Sequence, residues 1–187
     1  MSIKGGYNYM KKLFASVLMG LTLSLGGVSA FATPIATNTS INVNDNVVIS
    51  GEVGDIIEVG DLIFKIVDPS TINDTNTRAS QKGFSISLSG TEDSQSFSVT
   101  SEMPYAKVYV KANSTSGDIK FTITKSSPTG TVVSGSSVTI EAGTSTTVYS
   151  TNKWAAGTYY ANFTSSKTAM SGSASSRIAS TFDELDV

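Results

Sequence analysis

Two residue types are missing from the 187-residue chain altogether, cysteine and histidine. Their absence removes Ser-His-Asp and Cys-His nucleophiles, zinc sites built on those side chains, and haem ligation through them. No disulfide staples the fold, and no amino-terminal cysteine can carry a lipid. Secreted small domains of higher organisms are often stapled, so a bacterial origin fits this chain better. Proline is scarce, at four residues, which argues against a glycosylated stalk even though Ser and Thr make up about a third of residues 33–187. Any general base would have to be Asp, Glu, Lys or Tyr. Neither a G-x-S-x-G elbow nor a phosphate-cradling glycine loop occurs. A paired-carboxylate glycosidase survives by residue type alone, because it needs only two carboxyls ~5–10 Å apart across a cleft. The expectation is a protein without catalytic activity.

Long apolar runs are equally rare. There is one, from Leu13 to Leu25, broken by Ser16, Gly20 and Thr22. It follows Lys11-Lys12 and precedes the small residues Gly26, Gly27, Ser29 and Ala30. That order is the basic, apolar and cleavage region of a secretory signal peptide, and the run is shorter than the ~20 residues of a spanning helix. Residues 1–32 are read as the signal, with Met10 an alternative start, and 33–187 as one exported domain. Losing Lys4, Lys11 and Lys12 leaves ten of the thirteen basic residues against fifteen acidic ones, a net charge of about −5. Nucleic acid and anionic lipid are therefore poor partners, and stable membrane insertion is not expected.

Alternation of apolar and polar residues fills most of what remains. Phe84, Ile86 and Leu88 oppose Ser85, Ser87 and Ser89; Val108 and Val110 oppose Lys107, Tyr109 and Lys111; Ile119, Phe121 and Ile123 oppose Lys120, Thr122 and Thr124. Tyr159, Ala161 and Phe163 share a face opposite Tyr160, Asn162 and Thr164. Short strands at this spacing, punctuated by Gly- and Pro-containing turns, predict an all-β, mainly antiparallel sandwich of jelly-roll or Ig-like type with one solvated face per sheet. Val47–Ile49 and Leu62–Val67 are apolar at every second position and between, and read as strands buried on both sides. Residues 68–82 read as a polar loop, and the small-residue stretch 171–180 as an edge strand close to another backbone. Glu-Val-Gly-Asp occurs at 52–55 and again at 58–61, which reads as two Gly-Asp turns in a meander.

Two groups of residues are candidate sites. Calcium is the one metal these residue types permit, since it takes oxygen ligands alone. The first choice is Asp68, Asp74 and Asn76 in the polar loop; Asn44-Asp45-Asn46 and the pair Asp55 and Asp61 come next. None matches an EF-hand loop, and Asn and Asp are ordinary turn formers, so no resident cofactor is expected. The second group surrounds the single tryptophan: Trp154 with Lys153, Tyr159 and Tyr160. Exposed, these rings would stack on a sugar; buried, Trp154 would cap the core, which is where most tryptophans sit.

The run Asp118-Ile-Lys-Phe-Thr-Ile-Thr, then Val138-Thr-Ile, then Trp154-Ala-Ala-Gly-Thr-Tyr-Tyr-Ala-Asn-Phe resembles the closing half of secreted bacterial β-sandwich modules of the pre-peptidase carboxyl-terminal and Ig-like types. The resemblance covers residues 118–178, about a third of the chain, and lacks the family's paired acidic strand. It implies an accessory binding or adhesion role. The resulting expectation is a secreted, extracellular binding protein for polysaccharide or cell wall. The alternatives are a matrix protein that self-associates through edge strands or binds a protein partner, a membrane-active toxin using 84–100 as an inserting hairpin, and a small glycosidase.

Overall fold

A computed structural model describes residues 38–41 (by backbone), 47–72, 80–165 and 168–185. The proposed signal lies outside these residues, as do Asp74, Asn76 and the Asn44-Asp45-Asn46 cluster. Residues 35–187 form one compact unit.

Thirteen strands run in order β1 (Asn38–Ile41), β2 (Val47–Ile49), β3 (Ile56–Val59), β4 (Leu62–Ile66), β5 (Ser80–Gly90), β6 (Glu92–Val99), β7 (Tyr105–Ala112), β8 (Ile119–Lys125), β9 (Thr131–Val132), β10 (Val138–Ile140), β11 (Ser145–Tyr149), β12 (Gly157–Thr164) and β13 (Met170–Ala179). A single 3-10 turn, Asp183–Leu185, closes the described chain. Seven strands form one sheet in the order β1-β3-β4-β11-β7-β13-β5, and six form the other, β2-β10-β8-β12-β6 with β9 beside β8. All pairings are antiparallel except β1 with β3 and β2 with β10. The fold is the predicted two-sheet, nearly all-β arrangement.

The apolar half of each alternation fills the space between the sheets. Phe64, Val108, Val110, Leu88 and Ala174 from the seven-stranded sheet meet Phe97, Phe121, Ile123, Ala161 and Phe163 from the other, all of them buried. Phe121 and Phe163 stand in register across β8 and β12 with ring centroids 5.5 Å apart. Each large side chain so buried contributes roughly 1.5–3 kcal/mol. In the six-stranded sheet, β8 changes partner from β10 to β9 midway. The buried Ser136 bridges the change, its hydroxyl accepting from the Ile123 amide at 2.9 Å and lying 3.1 Å from the Ile123 carbonyl. A hydroxyl thus replaces a missing strand residue, leaving no ladder group orphaned.

Four expectations need correction. β13 is no edge strand: it lies between β7 and β5 and is paired along both sides. Its close packing is real, for a side chain at Gly172 would collide with the Lys111 carbonyl. Residues 84–100 are no hairpin either. β5 and β6 belong to different sheets, joined by an arch at Gly90 (φ 76°) and Thr91. β2 is not buried on both sides, because it ends its sheet and leaves Val48 49% exposed. The polar loop is shorter than 68–82, since Ser80, Gln81 and Lys82 already pair with β13.

The two outer faces differ, though neither is uniform: Thr124 is buried on the six-stranded sheet, and Ser85, Ser87 and Ser89 are exposed at the edge of the seven-stranded one. Outward residues of the six-stranded sheet, such as Lys120, Ser94, Ser96 and Ser98, are exposed. On the seven-stranded sheet the outward Tyr109, Ser145, Thr147, Tyr149 and Arg177 are buried. Phe182 reaches back to Tyr105 and Tyr149, with centroids 6.2 and 5.8 Å away, and the 3-10 turn beside the buried Leu185 packs on β13 and β7.

Candidate functional site

One end of the sandwich carries a cleft of about 430 Å³. Three connections meet there. The β3–β4 turn and the start of β4 supply Asp61 and Leu62; the end of β8, the connection after it and β9 with its following residue supply Lys125, Ser126, Thr131, Val132 and Val133; and the β11–β12 loop supplies Ser150, Asn152, Lys153 and Trp154, with Tyr159 from β12 behind them. Close backbone approach sets the first of these. A side chain at Gly135 (φ 80°) would collide with the Val59 carbonyl, so glycine lets the β3–β4 turn sit against residues 134–135 and brings Asp61 to the cleft. Ser126 holds a left-handed conformation, φ 74°, and its amide donates to the Thr158 carbonyl at 2.8 Å. It is the only non-glycine residue among those described with positive φ. Backbone strain of this kind costs about 1–3 kcal/mol.

Trp154 is anchored from both sides of the loop. Its amide donates to the Pro104 carbonyl at 2.8 Å. Its ring meets Tyr159 edge-on at 4.9 Å and 80°, and Phe97 at 6.0 Å and 66°. Tyr159 in turn stacks on Phe97 at 5.7 Å and donates its hydroxyl to the Ala155 carbonyl at 2.7 Å. Such aromatic pairs contribute ~0.5–1.5 kcal/mol beyond burial. Trp154 therefore caps the core and walls the cleft at once, half-buried, with the indole N–H itself buried and meeting no acceptor. The Lys125 ammonium lies 5.5 Å from the centre of the Tyr159 ring, a cation–π distance. The cleft thus has an aromatic and aliphatic floor of Trp154, Tyr159, Leu62 and Val132. Its rim is polar, from Lys125, Lys153, Asp61 and Asn152.

Three of the four residues picked around the tryptophan, Lys153, Trp154 and Tyr159, line this cleft. Tyr160 does not. Strand alternation turns it to the outer face of the six-stranded sheet, in register with Ser96 and Thr124. Lys125 and Val132 went unnoticed in the sequence, and Asp61 was singled out only as a calcium candidate beside Asp55. Each sits at or beside a turn that was legible, but nothing local says that those turns share one end of the molecule.

The calcium candidates fare differently. Asp68 closes a local turn, its Oδ1 accepting from the Ser70 amide at 2.8 Å and the Ser70 hydroxyl at 2.7 Å. Those bonds hold its carboxyl below the usual range. Asp74 and Asn76 fall outside the described residues. Asp55 and Asp61 do not come together. Asp55 precedes β3 and Asp61 lies in the turn after it, so the four-residue strand, about 13 Å long, stands between them. Asp55 instead accepts from the Glu52 amide at 2.9 Å. Among the described residues no three Asp or Glu side chains gather into a cation site.

Fold and site together define an all-β two-sheet protein with an aromatic-floored end cleft. No family model, curated protein or solved structure matches the chain.

Proposed function

We propose that this is an exported, non-enzymatic binding module whose end cleft takes a sugar residue of an extracellular polysaccharide or cell wall. The observation that carries the reading is the pairing of a Trp154–Tyr159 floor with a hydrogen-bonding rim in a single cleft of about 430 Å³. A sugar ring has an apolar face and an equatorial fringe of hydroxyls, and ligand sites of this kind combine apolar walls with a few placed polar groups. Lys125, Lys153, Asp61 and Asn152 supply donors and acceptors where such a fringe would lie. The family resemblance around Trp154–Phe163 points the same way, towards adhesion and not catalysis.

The single tryptophan makes the test direct. Fragments of cell wall, chitin and cellulose are titrated against the purified protein while Trp154 emission is followed. A saturable change, lost in Lys125→Ala and Asn152→Ala variants that keep their circular dichroism, supports the reading. Emission that ignores every polysaccharide, with none retained in a pull-down, overturns it.

A further inference from the structure

Among the described residues, β1 and β5 end the larger sheet and β2 and β6 the smaller, and the two-residue β9, paired with β8 alone, leaves a fifth edge. An unpaired strand edge is a template for another strand, and proteins guard it by shortness, by bulges or by charges turned inward. β1 and β2 are four and three residues long. β6 has eight residues, but alternation turns Asp93 and Gln95 to its inner side, in register with the buried Phe163 and Ala161. The Gln95 amide donates to Asp93 at 2.9 Å. A strand laid beside β6 would strip water from that carboxylate.

β5 has no such guard over most of its length. It is the longest described strand, at eleven residues. Its first part is bulged, the register with β13 shifting between Ser175 and Arg177. From Ser85 to Gly90 it is regular, uncharged and free of proline. Ser85, Ser87 and Ser89 are exposed on the outer face, and Ile86 is half-buried on the inner one. Among the described residues, none pairs with the far side of this strand.

The ladder shows which backbone groups that side presents. The Asn113 amide donates to the Ser171 carbonyl, so Ser171 bonds towards β7. Alternate residues of a central antiparallel strand bond to opposite neighbours. Gly172 and Ala174 therefore bond towards β5, where their partners are Leu88 and Ile86. The Phe84 amide, which donates to the Ser176 hydroxyl, has the same parity. The N–H and C=O groups of Ser85, Ser87 and Ser89 accordingly face away from the sheet.

We propose that two copies of this chain join antiparallel through β5, about a two-fold axis at Ser87. That register sets Ser87 opposite Ser87 and Ser85 opposite Ser89, each pair exchanging the bonds of a hydrogen-bonded ladder position. Ile86 then faces Leu88 of the second copy, and its exposed flank is covered. The one-residue alternatives place serine backbones opposite groups already bonded to β13. The two serine rows of β5 and β13, Ser85, Ser87 and Ser89 beside Ser175, Ser173 and Ser171, become one continuous hydroxyl-bearing surface across the dimer. An isologous contact of this kind is closed and stops at two copies. A strand pair this short falls below the ~1,600 Å² of a standard interface, so the dimer forms as concentration rises through the micromolar range.

Sedimentation of the purified protein from about 1 μM to about 1 mM is the test. A monomer converting to a dimer is expected. Ser87→Pro removes an outward-facing N–H at an edge position that tolerates proline, and is expected to stay monomeric with unchanged Trp154 emission. A wild type that stays monomeric throughout, a Ser87→Pro variant that still dimerises, or assembly beyond two copies overturns the proposal. None of these outcomes bears on saccharide binding, which uses the opposite features of the fold.

Discussion

The outer faces of the two sheets carry much the same kinds of residue and meet different fates. On the six-stranded sheet Ser94, Ser96, Ser98, Lys120 and Thr164 stand in water. On the seven-stranded sheet Ser145, Thr147, Tyr109, Tyr149 and Arg177 are buried outside the main core, beneath a cover that includes Phe182 and Leu185. Polarity in an alternating strand therefore marks which way a residue points and leaves open whether water reaches it. What decides exposure is whether a distant piece of chain lies on top. A polar outer face can be covered when its groups find partners, as Arg177 does with the Ser80 hydroxyl at 3.1 Å and Thr146, on the inner side of the same strand β11, does with the Lys65 carbonyl.

The contrast can be broken most forcefully at Leu185. It is 1% exposed, so Leu185→Ala is expected to cost about 2–4 kcal/mol in denaturant unfolding. If the carboxyl-terminal cover were loosely placed, the variant would unfold with the wild type. Arg177→Ala comes next, at about 2 kcal/mol, because it removes a buried charged donor that bonds the Ser80 hydroxyl. Lys120→Ala, at the matching outward position of the other sheet, is expected within about 0.5 kcal/mol of wild type. Equal losses for the two variants would erase the distinction.

Alkaline pH sharpens the comparison without mutation. Burial pushes the Tyr109 and Tyr149 hydroxyls above their ordinary value of about 10, with Asp68 adding to the rise at Tyr109 and Glu58 at Tyr149. The folded state thus resists ionisation that the unfolded chain accepts. The stability these groups contribute is full below pH ~10 and is lost as pH climbs towards their folded values. Unfolding midpoints should fall above pH ~10 and fall less in Tyr109→Phe with Tyr149→Phe. Identical alkaline profiles in the two proteins would show the outer face to be wet. At the cleft rim, Ser126→Gly relieves a left-handed backbone conformation and is expected to gain about 1 kcal/mol or less in thermal unfolding.

The site divides along the same line. The Trp154 group was visible because aromatic residues cluster within ten positions of a turn, and its dual role as core cap and cleft wall lies between the two readings the sequence offered. Tyr160 was misplaced with it, although strict alternation with Tyr159 already set the two on opposite faces. Lys125 was not singled out and Asp61 only as a calcium candidate, since their meeting depends on β4, β8 and β12 having an end at one pole of the sandwich.

Sequence alone determined the local facts: no thiol or imidazole chemistry, strands from period-two alternation, turns from glycine and proline, and an inward set that became the core. These follow from the covalent properties of each residue and from the two-fold pleat, which need no knowledge of distant chain. Tertiary structure alone decided which strands are edges, which outer face is covered, and which three connections enclose the cleft. Strand order is set by non-local pairing, where the entropy of closing long loops is offset by burial summed over the whole sandwich. The small-residue strand β13 illustrates the limit: its composition announced close backbone contact, but only the order β7-β13-β5 placed it in the middle of its sheet and left β5 at the edge.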